Sequence, residues 1–202
     1  AGSIGSELVK QISTLPYNLL LLTDQAETPL FHLELEMTAD LKNNKYKFFI
    51  ADICDATIME NLFNDYRPDI IYHAAAYKHV PVMENNPYEA VYTNVYGTKI
   101  IADLALKYNV EKFVMISTDK AVNPTSVMGA SKRIAEMYIQ SLNAKNKTKF
   151  VTTRFGNVLG SNGSIIPLFK EQIEKGGPLT ITHPEVTRYF MTIPEACQLV
   201  LE

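Results

Sequence analysis

The chain has 202 residues, 47% of them hydrophobic, enough for a sizeable core but not for two domains of ordinary size. Nineteen basic against 22 acidic residues give a net charge of −3, without the clustered Lys and Arg that neutralise phosphates, which excludes a nucleic-acid surface. Cys54 and Cys197 stand far apart and outside metal-ligand spacing, so they read as reduced core thiols in a reducing compartment, with no metal site. No apolar run approaches the roughly 20 residues that cross a bilayer, so no membrane contact is expected of this segment. The N-terminus lacks the regions of a signal peptide.

In chain order, a helix is predicted over Ser3 to Ser13, a strand over Leu19 to Thr23, a helix over Pro29 to Leu41 and a strand over Lys47 to Ala51. A helix over Thr57 to Asp65 follows, then a strand over Ile70 to His73, a long helix over Tyr88 to Tyr108 and a strand over Phe113 to Ser117. The next helix spans Val127 to Asn143, and the next strand Phe150 to Arg154. After these come a helix over Ile165 to Lys175, a strand over Leu179 to Thr182, and a helix with Thr192 as N-cap and Pro194 second. This alternation predicts an α/β fold with a doubly wound parallel sheet. Such a domain begins with a buried strand, whereas this chain opens on a turn into a helix, so the first strand is expected to be missing and the C-terminal side trimmed. Residues 1–156 read as a dinucleotide-binding domain and 157–202 as the start of a substrate-binding portion.

Gly2 and Gly5, with Ser3 and Ile4 between, fit a phosphate-binding turn, where absent Cβ atoms let a helix N-terminus approach a pyrophosphate; an ordinary turn fits equally. Asp24 ends a strand 19 residues after Gly5, near the roughly 20-residue spacing at which an acid meets the ribose hydroxyls, which favours NAD over NADP. Asp52 and Ile53 flank the adenine on this reading, or merely end a strand. Ala74, Ala75 and Ala76 let a cofactor lie close to the backbone, and Lys78 and His79 follow in a loop suited to an anionic or polyol ligand.

The densest cluster is Ser117-Thr118-Asp119-Lys120 at a strand end, with Met128 and Lys132 on one helix face eight and twelve residues after Lys120. Downstream, Asn157, Ser161 and Ser164 in a Gly-rich loop suit a diphosphate, and Arg188 is either its partner or an exposed Arg.

At Gly2-Ser3-Ile4-Gly5-Ser6-Glu7-Leu8, Ala75 to Pro81, Ser117 to Ala121, Arg154 to Ser161 and Thr187 to Thr192 the chain resembles the nucleotide-sugar 4,6-dehydratases of polysaccharide biosynthesis, extended short-chain dehydrogenase/reductases. The resemblance is to the capsule and O-antigen group, whose catalytic domain is cytoplasmic and hangs from a membrane-embedded region of a bacterial inner-membrane protein. It implies NAD as cofactor, a UDP-N-acetylhexosamine such as UDP-N-acetylglucosamine as substrate, and self-association. Lys120 would remove the C5 proton, Asp119 would protonate the leaving C6 hydroxyl, and Thr118 would bind near O4. Lys132 would hold the cofactor, with Ser117 on its side of the site and Asn94 matching the family's buried Asn there, or making a plain helical polar contact. Met128 occupies the place of the Tyr that related enzymes use for proton transfer. A superfamily epimerase and a non-catalytic dinucleotide sensor are the competing readings; a simple C4 epimerase needs no base at C5.

Overall fold

The computed structural model describes residues 1–40, 45–161, 165–181, 185 and 187–202. Strand β1 (Leu20–Asp24) pairs in parallel with β2 (Tyr46–Ile50), Leu20 beside Tyr46 and Asp24 beside Ile50, with α2 (Glu27–Asp40) between them in sequence. A second sheet has the order β3 (Ile70–His73), β4 (Lys112–Thr118), β5 (Lys149–Phe155), and β3 runs parallel to β4 from Ile70 beside Lys112 to His73 beside Met115. Parallel neighbours cannot be joined by a hairpin, so helices fill the connections. Helix α3 (Ala56–Tyr66) leads to β3. From β3 to β4 the chain passes through α4 (Val80–Asn85), α5 (Pro87–Val91), a π-helical turn (Tyr92–Gly97) and α6 (Thr98–Lys107); α7 (Val127–Leu142) then leads to β5.

Strand β4 is buried over Phe113, Val114 and Met115 in succession, as expected of a strand covered on both faces. Its Phe113 and Met115 join Ala102 and Ala105 of α6, Ile139 of α7 and Phe150 of β5 in one apolar core. Asp55 starts α3 by accepting from Thr57 N and Ile58 N, both at 3.0 Å.

Contacts divide the chain into two compact units, Leu19–Arg154, and Ala1–Asn18 with Phe155–Glu202. Residues 1–18 therefore group with the C-terminal segment. Within this smaller unit α1 (Ser3–Ser13) packs on α9 (Ile193–Leu201), and Gln11 Nε2 donates to Pro194 O at 3.1 Å. Strands β6 (Asn157–Val158) and β7 (Phe190–Met191) pair in parallel, and α8 (Ile165–Glu174) lies between them in sequence. The expected N-cap holds: Thr192 Oγ1 accepts from Glu195 N while Glu195 Oε2 accepts from Thr192 N, a reciprocal capping box with Pro194 in the first turn.

Three expectations are corrected. Residues 179–181 form no strand; the segment is exposed after the positive-φ pair Gly176 and Gly177, and Thr182 lies outside the described residues, as does Leu41 at the end of the second helix. The pairing partner of β6 is instead Phe190–Met191, too short a run to signal itself. The helix read over Tyr88 to Tyr108 is broken at Tyr92–Gly97 into a π-turn, and the loop read over Tyr77 to Pro81 already enters α4 at Val80.

Candidate active site

In the larger unit, β4 ends at Thr118 and turns at once into one 3₁₀ turn, Asp119–Ala121. Thr118 Oγ1 donates to Asp119 Oδ1 at 2.9 Å, and Lys120 Nζ donates to the same oxygen at 3.0 Å. Burial tends to raise the Asp119 carboxyl, but the Lys120 and Thr118 donors outweigh it and hold the group below its usual range.

Helix α7 is driven against this turn. Its first N–H groups are capped from two directions: Ser126 Oγ accepts from Gly129 N at 3.1 Å, and Glu84 Oε1 of α4 accepts from Val127 N at 2.7 Å. Only glycine fits at 129, because a Cβ there would stand 2.3 Å from Lys120 O. One turn on, Lys132 is 5% exposed and donates to Ile116 O of β4 at 2.7 Å; burial pushes its ammonium down to about 8, with Glu136 opposing. Lys132 and the Thr118-Asp119-Lys120 turn are thus both anchored at the end of β4.

Met128 does not share that polar setting. It is 3% exposed and packs with Met83, Ala90, Val80 and Val127, so its thioether fills a core. Met128→Leu conserves volume and is expected to cost less than about 1.5 kcal/mol of stability while leaving a substantial part of the activity. Urea unfolding and steady-state rates check this; a loss as deep as that of a proton-transfer residue would refute it.

Asn94, expected on the cofactor side, is 0% exposed and spent on the protein itself. Its Oδ1 accepts from Tyr77 N at 2.8 Å, and its Nδ2 reaches Tyr77 O and Ser131 Oγ, both at 3.0 Å, tying the loop after β3 to α7. The π-turn that presents Asn94 also brings Gly97 under Ile53, where a Cβ would meet Ile53 Cδ1 at 2.6 Å. Ile53 therefore packs toward the core, and Asp52 Oδ1 accepts from Cys54 N at 2.8 Å. Asp24, at the end of β1, accepts from Ala26 N at 2.9 Å. His73, the last residue of β3, is buried on Thr98 Oγ1 at 2.8 Å; burial and the Lys132 charge push it down to about 3, so it is neutral.

Ala74 and Ala75 are exposed and Ala76 partly so, leaving the end of β3 open to a ligand. Lys78 and His79 line a groove of about 280 Å³ with Tyr77, Met83, Asn86 and Glu89, and partial burial holds the Lys78 ammonium below its ordinary value. In the smaller unit, Gly2 is the N-cap of α1 with no side-chain cap, and a Cβ on Gly2 or Gly5 would meet nothing within 4 Å. Ser3 and Ile4 form the first turn of α1. Asn157 N donates to Tyr189 O at 3.0 Å, Ser161 is buried, and Arg188 is exposed with Nη1 on Thr187 O at 2.8 Å. Ser164 lies outside the described residues.

Sequence reading missed Glu136. This carboxylate is 0% exposed and takes a two-point fork from Arg154 of β5, Nε to Oε1 at 2.8 Å and Nη2 to Oε2 at 2.5 Å, plus Arg133 Nη1 at 3.1 Å. Despite the cost of burial, Arg154 and Arg133 hold it in the charged form. The Ser117 hydroxyl is buried near it but makes no hydrogen bond of ordinary geometry. The available signal was Lys132 and Glu136 four residues apart on one helix face.

A family model for "Polysaccharide biosynthesis protein" matches residues 1–202. The chain belongs to this polysaccharide biosynthesis family. "Capsular polysaccharide biosynthesis protein CapD" of Staphylococcus aureus is 55% identical over 203 residues, all of this chain and 34% of that protein. A "UDP-glucose 4-epimerase" of Rickettsia canadensis is 41% identical over 169 residues, 82% of this chain and 49% of the epimerase. Among solved structures, Pen from Bacillus thuringiensis superposes with a TM-score of 0.91 at 34% identity, covering 99% of this chain and 61% of Pen. The dTDP-glucose 4,6-dehydratase DesIV from Streptomyces venezuelae, a double mutant with NAD bound, gives 0.87 at 23%, covering 100% and 69%. The doubly wound α/β fold is thereby established for this family member. The chain spans about a third of the length of CapD. Among the described residues no helix is long and apolar enough to cross a membrane.

Proposed function

We propose that the chain is the cofactor-binding and catalytic core of an NAD-dependent 4,6-dehydratase acting on a UDP-N-acetylhexosamine, UDP-N-acetylglucosamine first, within a membrane-anchored, self-associating protein whose catalytic part is cytoplasmic. The observation that carries this reading is the Asp119–Lys120 pair, joined at 3.0 Å at the end of β4 beside buried Lys132. Dehydration across C5 and C6 needs a base for the C5 proton and an acid for the departing C6 hydroxyl. A base and an acid held together meet that need, whereas a C4 epimerase has no use for the base.

The proton between the two groups matters. In the ion pair it sits on Lys120; the reaction needs it on Asp119, leaving a neutral amine. The 3.0 Å contact supplies the path, and a sugar that displaces water favours the neutral pair, because separated charges lose solvation in a closed site. Taking the C5 proton onto Lys120 and giving the Asp119 proton to the C6 oxygen then restores the ion pair. Thr118, whose hydroxyl donates to Asp119 Oδ1, is assigned to O4.

Bound NAD would supply the hydride chemistry that oxidation at sugar C4 and reduction at C6 require. The residues fit it: alanines bare the end of β3, Ser117 offers a buried hydroxyl without an ordinary partner, and Lys132 brings a buried ammonium. Asp24 is assigned to the ribose hydroxyls, Asp52 and Ile53 to the adenine side, and Gly2 to Gly5 to the diphosphate. Lys78 and His79 are assigned to the sugar nucleotide, with Asn157, Ser161, Ser164 and Arg188 on its diphosphate.

Mass spectrometry of UDP-N-acetylglucosamine incubated with the full-length protein tests the reading. Loss of one water from the sugar is expected; an isomer of unchanged mass would make the protein an epimerase, and an unaltered sugar with NAD retained would make it a sensor. A further expected result concerns Gly5→Ala. The added methyl meets nothing, and alanine favours a helix by about 1 kcal/mol, so thermal stability should hold or rise while NAD affinity falls. Unchanged affinity by fluorescence titration would remove Gly5 from the phosphate turn.

A further inference from the structure

Lys132 and Glu136 are buried positions four residues apart on one face of α7, and they fasten that helix to two strands: Lys132 to Ile116 O of β4, Glu136 to the guanidinium of Arg154 on β5. The charges around them are unequal. Lys132, Arg133 and Arg154 are cations, His73 of β3 is neutral, and Asp119 is already engaged by Lys120 and Thr118 in the turn packed on α7. Glu84 of α4 is used at the N-terminus of α7, on Val127 N. Glu136 is therefore the anion, among these groups, left to buried Lys132 and to the half-exposed Arg133 and Arg154.

We propose that Glu136 is a positioning residue for Lys132, the counter-charge that keeps its buried ammonium protonated and fixed on Ile116 O, with Arg154 and Arg133 setting how much of that charge Lys132 receives. The interior weakens screening, so one helical turn of separation leaves Lys132 sensitive to Glu136. The fork from Arg154 fixes the carboxylate and also competes for it. The consequence for function rests on the reading of Lys132 as the residue that holds the cofactor; the coupling itself does not.

The sign follows. Without the anion, protonated Lys132 loses its compensation and gives up its proton at lower pH; without one of the competing cations, it keeps the proton to higher pH. A merely structural clamp behaves differently, because loosening either end admits water and raises the Lys132 midpoint in every variant.

The experiment is amine-selective trace labelling of the full-length protein from neutral to alkaline pH, with Lys132 reactivity read by mass spectrometry. The parent midpoint is expected near 8. Glu136→Gln should lower it by about one pH unit or more, and Arg154→Gln should raise it. Arg133→Met keeps the apolar stem at a side chain 41% exposed, so folding is not at stake, and should also raise it. A raised midpoint in Glu136→Gln, or an unmoved one in Arg133→Met, overturns the proposal. NAD titration of the same variants separates the two readings. If Lys132 midpoints move as stated while NAD affinity ignores them, the coupling stands and the cofactor role of Lys132 falls.

Discussion

Lys120→Met in the full-length protein is expected to stop dehydration of UDP-N-acetylhexosamine while leaving hydride transfer at C4 measurable. Methionine keeps much of the side-chain length and removes the amine, so it deletes the base without opening a large gap. It also removes a donor from Asp119 Oδ1, leaving Thr118 Oγ1 on that oxygen. Both halves of the proton exchange are lost together, because the proton Asp119 must deliver is the one it receives from Lys120. General-base catalysis contributes about 10² to 10⁴ in rate, and the defect should be at least that large. Two measurements check it: appearance of the dehydrated sugar by mass spectrometry, and exchange of the C5 hydrogen in deuterated water. Near-parental exchange at C5 would require another base and a new assignment for Asp119.

Gly129→Ala is expected to cost on the order of 10² in kcat, because a shift of about 1 Å at a reacting group is enough for such a loss. The added Cβ would stand 2.3 Å from Lys120 O and 3.2 Å from Ser126 Oγ. The first contact is with backbone, which cannot rotate away, so either the Asp119–Ala121 turn or the first turn of α7 must move. Overpacking of this kind costs about 1–3 kcal/mol, partly offset by roughly 1 kcal/mol of helix propensity. Stability should therefore fall only modestly while turnover falls steeply, a split visible when urea midpoints are set beside kcat. A near-parental kcat would mean that the approach of α7 to Lys120 does not govern the geometry of the base.

Much of this was legible in the sequence, and the reason differs from residue to residue. Short β-branched and aliphatic runs announce strands, which is why Ile70–His73 and the buried middle of β4 were plain. The Thr192 cap was equally plain, because the side chains at Thr192 and Glu195 close a local ring that no distant contact decides. The run Ser117 to Lys120 was readable because strand-end chemistry is contiguous. Contacts between segments far apart in the chain were not readable. Asn94 carried no local sign that its amide would be taken up by Tyr77 and Ser131; the same interaction set accompanies the π-turn that split an apparently continuous helix. Met128 was read on the face of Lys132 because it lies four residues before it. Met83 and Ala90, brought in by α4 and α5, made it a core residue instead. Glu136 was one charge among 22 acidic residues until β5 brought Arg154 onto it. Local hydrogen bonding and hydrophobic period belong to the sequence by itself; which polar groups lose their water, and therefore which must be paired, is decided only when separate elements close over them.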